Sequence, residues 1–79
     1  MKTIQKIIDS IQENIHYEKI IEPEMDLTKD MDIDSIELMM IMYTIEEKFS
    51  IEIEVEYLNR IKTVKDIAAI VDLLVINQK

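Results

Sequence analysis

The sequence predicts a small all-α protein, a four-helix bundle with a long loop between its first and second helices. Apolar residues recur at helical spacing in the first, middle and last parts of the chain, and a Thr or Asp cap precedes each of these segments. The chain also has no glycine for tight hairpin turns. Its 79 residues, of which 48% are hydrophobic, suffice for one thin core. We therefore expect a single domain, 1–79.

The composition excludes several classes of site. With no cysteine and a single histidine, His16, the chain lacks the residues for disulfides and for thiolate or His-rich metal sites, and no metal site is predicted. The net charge of −8, from 17 acidic and 9 basic residues, disfavours nucleic acid and attracts basic partners. No apolar run approaches the roughly 18–20 residues of a membrane span. The N-terminus also lacks a signal peptide, which favours a cytoplasmic protein.

The first helix is predicted from Thr3, as its cap, to about Ile15. Its apolar face comprises Ile4, Ile7, Ile8, Ile11 and Ile15. The face expected to meet water comprises Lys6, Asp9, Ser10, Gln12 and Glu13. Residues 16–33 have no clean period and contain Pro23, which indicates a long loop. Apolar residues are spread through this loop, so we expect it to pack down over the helices; they are Ile20, Ile21, Met25, Leu27, Met31 and Ile33.

The second helix is predicted to begin after Asp34, with Glu37 in the capping-box position, and to run to about Phe49. It has two apolar stripes. The core stripe comprises Leu38, Ile41, Met42, Ile45 and Phe49, and the second comprises Ile36, Met40 and Tyr43, flanked by Glu37, Glu46 and Glu47. Because one stripe suffices to bury a surface helix, the second is surplus and indicates a partner-recognition surface. Self-association and burial under the 16–33 loop remain alternatives.

The last third of the chain contains one ambiguous segment and one clear helix. Residues 51–58 alternate like a strand but lack a pairing partner, so we expect an extended segment or a short helix that packs Ile51, Ile53 and Val55 onto the core. Thr63 and Asp66 then form a capping pair, and the final helix runs to about Ile76.

The acidic stretch before the second helix does not match a calcium loop. Counted from Asp30, the sixth position is Ser35 and the twelfth is Ile41, where that loop needs Gly and Glu. Ser35 is the more interesting residue, because Asp34 already caps the helix and leaves the Ser35 hydroxyl free. An anion attached to this oxygen would be stabilised at the helix N-terminus. From local physics alone, a tolerated small residue remains the simpler interpretation.

A longer pattern of residues around Ser35 favours a functional role for this serine over the simpler interpretation. It comprises Ile21-x-Pro23-x-x-x-Leu27-x-x-Asp30-Met31-x-Ile33-Asp34-Ser35-Ile36, then Glu46-Glu47-x-Phe49-x-Ile51-x-Ile53, and finally Thr63-Val64. In this order and spacing the chain resembles the acyl carrier proteins over nearly its whole length. The triplet Asp34-Ser35-Ile36 is similar to the Asp-Ser-Leu attachment triplet of that family.

The resemblance implies three main helices plus one short helix near Val55 to Asn59, and a monomer that catalyses nothing itself. It implies that a phosphopantetheinyl transferase, or holo-carrier synthase, moves 4′-phosphopantetheine from coenzyme A onto Ser35. The thiol of this arm would carry acyl or aminoacyl groups as thioesters in fatty-acid, polyketide or related biosynthesis. Loading and condensing enzymes with basic and apolar docking patches are the implied partners.

The chain departs from the family pattern at three positions. Asp32 replaces the loop glycine, Ser50 replaces the glycine that often follows the Phe, and Met40 stands where Glu is common. Asp tolerates a left-handed backbone better than most residues, so the loop can survive. We interpret the apolar stripe as a partner surface shifted from ionic towards apolar contact, in a carrier dedicated to a specialised pathway. The alternative function is a small acidic helical adaptor, never modified, that binds a basic partner protein.

Overall fold

The computed structural model describes residues 3–77, and within them the chain folds into four helices without a named strand. They are α1 Thr3–Asn14, α2 Ser35–Phe49, α3 Val55–Leu58 and α4 Val64–Asn77. The predicted all-α bundle of three main helices, one short helix and a long first loop is therefore confirmed. Its short helix replaces the strand that the alternation in 51–58 would otherwise indicate.

The core lies where α1 packs against both α2 and α4. Seven apolar side chains in it are fully buried, and all of them project from these three helices: Ile7, Ile11, Ile41, Ile45, Val64, Ile67 and Val71. Leu38 and Phe49, the ends of the predicted core stripe of α2, are half-buried against the same cluster. Each long helix thus contributes one stripe to a common centre, as its periodicity predicted.

Two predictions about α1 are wrong. Ser10 is buried and not in water; its hydroxyl donates to the Lys6 carbonyl at 2.8 Å, so the helix itself satisfies this polar group. Thr3 is the first residue of the described helix and not the cap before it, and its hydroxyl donates to the Asp72 carboxylate of α4 at 2.7 Å. A residue predicted as a cap therefore links the first and last helices.

The long loop packs down over the helices, as predicted. Leu27 N–H donates to the Lys62 carbonyl at 2.8 Å, and Val64 N–H donates to the Met25 carbonyl at 3.2 Å. Asp26 and Thr63 form an antiparallel bridge at the same place. Ile21, Leu27, Met31 and Ile33 of the loop are buried in the core, and Met25 packs half-buried against it. Ile20, which was expected to pack down with them, is exposed. The loop therefore leads into α2 from a fixed position.

The segment before α3 departs from its prediction at one residue. Ile51 is buried and Ile53 packs half-buried against the core, but Val55 is exposed. The reason is that α3 begins at Val55, so the alternating pattern of an extended chain ends before that residue.

Two aspartates at the junction of loop and α4 make stability depend on pH. The backbone N–H groups of Thr63 and Lys62 donate to the Asp66 carboxylate, each at 3.0 Å, and hold its pKa below the usual range. The N–H of Lys29, more than that of Thr28, lowers the pKa of Asp26 in the same way. A lowered folded-state pKa contributes stability that is present above the unfolded pKa, about 3.9, and is lost as the pH falls further.

We therefore expect the free energy of unfolding to fall as the pH drops below about 5, and Asp66→Asn to flatten this dependence. Urea denaturation at a series of pH values measures both curves. Parallel curves for the parent and the variant would show that Asp66 contributes nothing to the acid sensitivity.

Candidate functional site

The start of α2 is fixed by a reciprocal capping box. Glu37 N–H donates to Asp34 Oδ1 at 2.7 Å, and Asp34 N–H donates to Glu37 Oε1 at 3.0 Å. Asp34 itself is extended, with φ −89° and ψ 178°, and its carbonyl accepts the first helical bond from Leu38 N–H. This confirms the predicted cap and its partner. Two carboxylates thereby satisfy two of the amide groups that a helix N-terminus leaves open.

Ser35 is the first residue of α2 and is exposed. Within residues 3–77, no hydrogen bond engages its hydroxyl, because Asp34 does the capping. The hydroxyl is thus accessible, is not needed to hold the helix, and lies at the positive end of the helix dipole. These properties fit a serine that bears a phosphodiester, whose negative charge a helix N-terminus stabilises.

Asp32 and Ser50, which stand where the family pattern has glycine, both adopt a left-handed backbone. Asp32 has φ 55°, and Ser50 has φ 54° and ψ 49°. Asp32 is held in a turn where its N–H donates to the Thr28 carbonyl at 3.0 Å, two residues before the cap. Ser50 ends α2, and its N–H donates to the Glu46 carbonyl. The turns therefore survive without glycine, at a cost in backbone strain.

We expect Ser50→Gly to raise the free energy of unfolding by about 0.5–1 kcal/mol, since glycine removes the left-handed strain but adds chain entropy. Urea denaturation followed by circular dichroism measures the change. Glu47→Gly is the matched control; it places glycine in a right-handed, exposed helical position and should destabilise by about 1 kcal/mol. Equal effects of the two substitutions would contradict the strain assigned to Ser50.

The second apolar stripe of α2 is open to solvent. Ile36 is 71% exposed, and Met40 and Tyr43 are exposed as well. The structure thus excludes burial of this stripe under the 16–33 loop. The stripe also begins directly after Ser35, so it lies beside the exposed hydroxyl.

The three predicted glutamates around the stripe have different environments. Glu37 Oε1 takes part in the capping box, and Glu46 Oε2 accepts the Ile53 N–H at 2.7 Å, which ties α2 to the segment before α3. Glu47 is exposed. Two of the three carboxylates therefore have structural partners within the chain, and the apolar stripe is the more available contact surface.

Two exposed residues of this face were missed by the sequence analysis. Met39 and Val55 are both exposed and, with Tyr43, line a groove of about 120 Å³ between α2 and α3. Met39 could have been found, because it lies three residues after Ile36 and four before Tyr43, a spacing that joins the stripe. Val55 was hidden by the strand-like alternation. We call Ile36, Met39, Met40, Tyr43 and Val55 the apolar face.

Other kinds of site find no support in the part of the chain described here. Residues 3–77 contain no cluster of three or more His, Cys, Asp or Glu side chains arranged to hold a metal ion. His16 is exposed, with its Nε2 atom 3.2 Å from Glu18. Among the described helices, none combines the length and the apolar character that crossing a bilayer requires.

Comparison with known proteins gives the class of this chain. The family model described as "Phosphopantetheine attachment site" matches residues 5–71, a range that contains Ser35. The chain is thus a phosphopantetheine-binding carrier domain, and its prosthetic group is covalently bound 4′-phosphopantetheine.

The relatives give the family. The chain is 40% identical over 52 residues to the acyl carrier protein of Helicobacter hepaticus, covering 66% of this chain and 68% of the relative. It is 40% identical over 52 residues to that of Micrococcus luteus, covering 66% and 64% respectively. It is 32% identical over 72 residues to that of Coprothermobacter proteolyticus, covering 90% and 88%. The chain belongs to the acyl carrier protein family, whose members are carriers and not catalysts.

Proposed function

We propose that Ser35 is the attachment residue and that the chain shuttles acyl or aminoacyl groups as thioesters between biosynthetic enzymes. The observation that carries this proposal is the exposed Ser35 hydroxyl at the start of α2, free of any role in capping. When bound, the arm supplies the thiol that this cysteine-free chain lacks. The donor is coenzyme A, and a phosphopantetheinyl transferase catalyses the transfer.

In this transfer, Ser35 is the only residue of this chain that takes part in the bonds that form and break. Ser35 Oγ forms a bond to phosphorus, the pyrophosphate P–O bond of coenzyme A breaks, and the adenosine bisphosphate half leaves. The hydroxyl proton passes to a base of the transferase. The Asp34 carboxylate, and not the Ser35 hydroxyl, accepts the capping hydrogen bond from Glu37 N–H. The first turn of α2 therefore persists when the hydroxyl of Ser35 becomes an ester.

We propose that partner enzymes dock on the second helix through Ile36, Glu37, Met40, Tyr43, Glu46 and Glu47. Exposure of the stripe supports the apolar contacts, and the exposed carboxylate of Glu47 beside the stripe supports a basic patch on the partner. This balance favours a carrier dedicated to a specialised pathway. We also propose that the chain is a monomer of one domain that acts in the cytoplasm, where coenzyme A is available. Normal loading and elongation by a housekeeping fatty-acid synthase would contradict the dedicated role.

Incubation of the purified chain with coenzyme A, magnesium and a broad-specificity phosphopantetheinyl transferase tests the attachment. We expect the intact mass to rise by one phosphopantetheine in the parent and to stay unchanged in Ser35→Ala. Ser50→Gly is the matched control, because Ser50 is the other exposed serine, and it should be modified like the parent. If a cognate transferase also fails on the folded parent, the unmodified acidic adaptor becomes the better explanation.

A further inference from the structure

The methionines of this chain fall into two groups by exposure. Met39 and Met40 are 45% and 47% exposed, whereas Met31 and Met42 are 6% and 5% exposed. Met25 is half-buried, and its sulfur accepts the Glu22 N–H at 3.1 Å. Met1 lies outside the described residues. Among residues 3–77, the two thioethers most open to solvent are therefore adjacent in the sequence and follow Ser35 by one turn of α2.

These two side chains contribute different parts of the apolar face. Met39 lines the groove between α2 and α3, where Ile53 and Leu58 are half-buried. Met40 lies on the exposed stripe between Ile36 and Tyr43. The chain has no cysteine, so in the apo protein no thiol competes for an oxidant. A change of polarity at either sulfur would alter the surface beside the attachment site.

We propose that Met39 and Met40 form an oxidation site that sets the polarity of the apolar face. A peroxide-class oxidant transfers one oxygen atom to each sulfur; the S–O bond forms, the O–O bond breaks, and one water is released per hydrogen peroxide. The sulfoxide is polar where the thioether was apolar, and methionine sulfoxide reductases can reverse the change. Its effect on partner docking rests on the function proposed above.

The two oxidations should change different parts of the apolar face. A sulfoxide at Met40 places an oxygen on the stripe that contacts partners, so docking weakens while the fold remains. A sulfoxide at Met39 places an oxygen in the groove, where it meets the apolar side chains of Ile53 and Leu58. The single variants Met39→Leu and Met40→Leu keep the apolar volume and remove one sulfur each.

Limited treatment of the folded apo protein with hydrogen peroxide tests the site. Trypsin cleavage after Lys29 and Lys48 yields one peptide, 30–48, that contains both exposed and both buried methionines. We expect fragmentation to locate oxygen on Met39 and Met40 at least about fivefold faster than on Met31 and Met42, and equal rates in urea, where exposure is uniform. Equal rates in the folded protein would overturn the proposal.

The docking effect is measured with the unmodified, unoxidised protein as reference. We expect peroxide treatment to raise the KM for arm transfer by about threefold or more, reductase to restore it, and Met39→Leu/Met40→Leu to resist it. An unchanged KM after both sulfurs are oxidised would overturn the docking effect. Failure of the unoxidised protein to accept the arm would instead contradict the proposed function, and the peptide map would still decide the oxidation site.

Discussion

Replacing Ile45 by alanine is expected to lower the free energy of unfolding by about 2 to 5 kcal/mol. Ile45 is fully buried in the cluster where α1, α2 and α4 meet, so truncation leaves a cavity as well as losing apolar contact. A chain of this length is stabilised by only about 4–12 kcal/mol, at roughly 0.05–0.15 kcal/mol per residue. The loss is therefore a large part of the total stability, and the urea midpoint should fall in proportion.

Ile36→Ala makes the same chemical change in the same helix and is the control. Because Ile36 is exposed, its loss should change the free energy of unfolding by less than about 0.5 kcal/mol. Urea denaturation of both variants, followed by far-ultraviolet circular dichroism, gives the two values. Similar losses for the two substitutions would contradict the separation of α2 into a core stripe and an exposed stripe.

Replacing Ile36 by serine is expected to raise the KM for arm transfer by about tenfold, with kcat little changed. Ile36 follows Ser35 directly and is exposed, so a transferase that reaches the hydroxyl covers this side chain. Burying an isoleucine is worth about 1.5–3 kcal/mol, and about 1.4 kcal/mol of lost binding accounts for a factor of ten. Loss of binding that is equal in ground and transition states raises KM alone.

Ile76→Ser is the matched control for this measurement. Ile76 is 70% exposed, close to the value for Ile36, but it lies near the end of α4 and not on the apolar face. Steady-state kinetics of transfer on the three proteins gives the comparison. If both serine variants behave like the parent, or if both are impaired alike, the apolar face is not the docking surface.

The helices and the cap were predictable because their causes are local. The end of α2 at Phe49 follows from its periodicity, and its start follows from Asp34 and Glu37, which lie three residues apart. Thr63 and Asp66 predicted the start of α4 for the same reason, and Asp66 N–H donates to Thr63 Oγ1 at 3.3 Å. Each capping signal depends on residues within one helical turn, and the periodicity depends on residues within one helix.

Features set by distant parts of the chain were not predictable. Ser10 is a small polar residue that suits either water or the interior, and only the packing of α1 between α2 and α4 buries it. The long loop is held in place by backbone hydrogen bonds, such as the one from Leu27 N–H to the Lys62 carbonyl. Because almost every residue carries the same backbone groups, the sequence does not show which of them pair. The exposure of Val55 depends on where α3 begins.

The candidate site could be predicted only in part from local sequence signals. Local physics explained why a serine after the cap could hold an anion, but it did not distinguish Ser35 from an ordinary first-turn residue. Only the ordered resemblance around it did so. Likewise, the left-handed backbone at Asp32 could be expected from the family glycine at that position, whereas the charge pattern alone gives no such signal.

The most direct test of the central claim, that Ser35 carries the arm, is fragmentation mass spectrometry of the tryptic peptide 30–48 after enzymatic transfer. This peptide holds Ser35 together with Tyr43 and Thr44, the other hydroxyl-bearing side chains in the range. We predict that the fragment series places one phosphopantetheine on Ser35 and none on the other two. An arm on Tyr43 or Thr44, or on a peptide outside this range, would contradict the assignment.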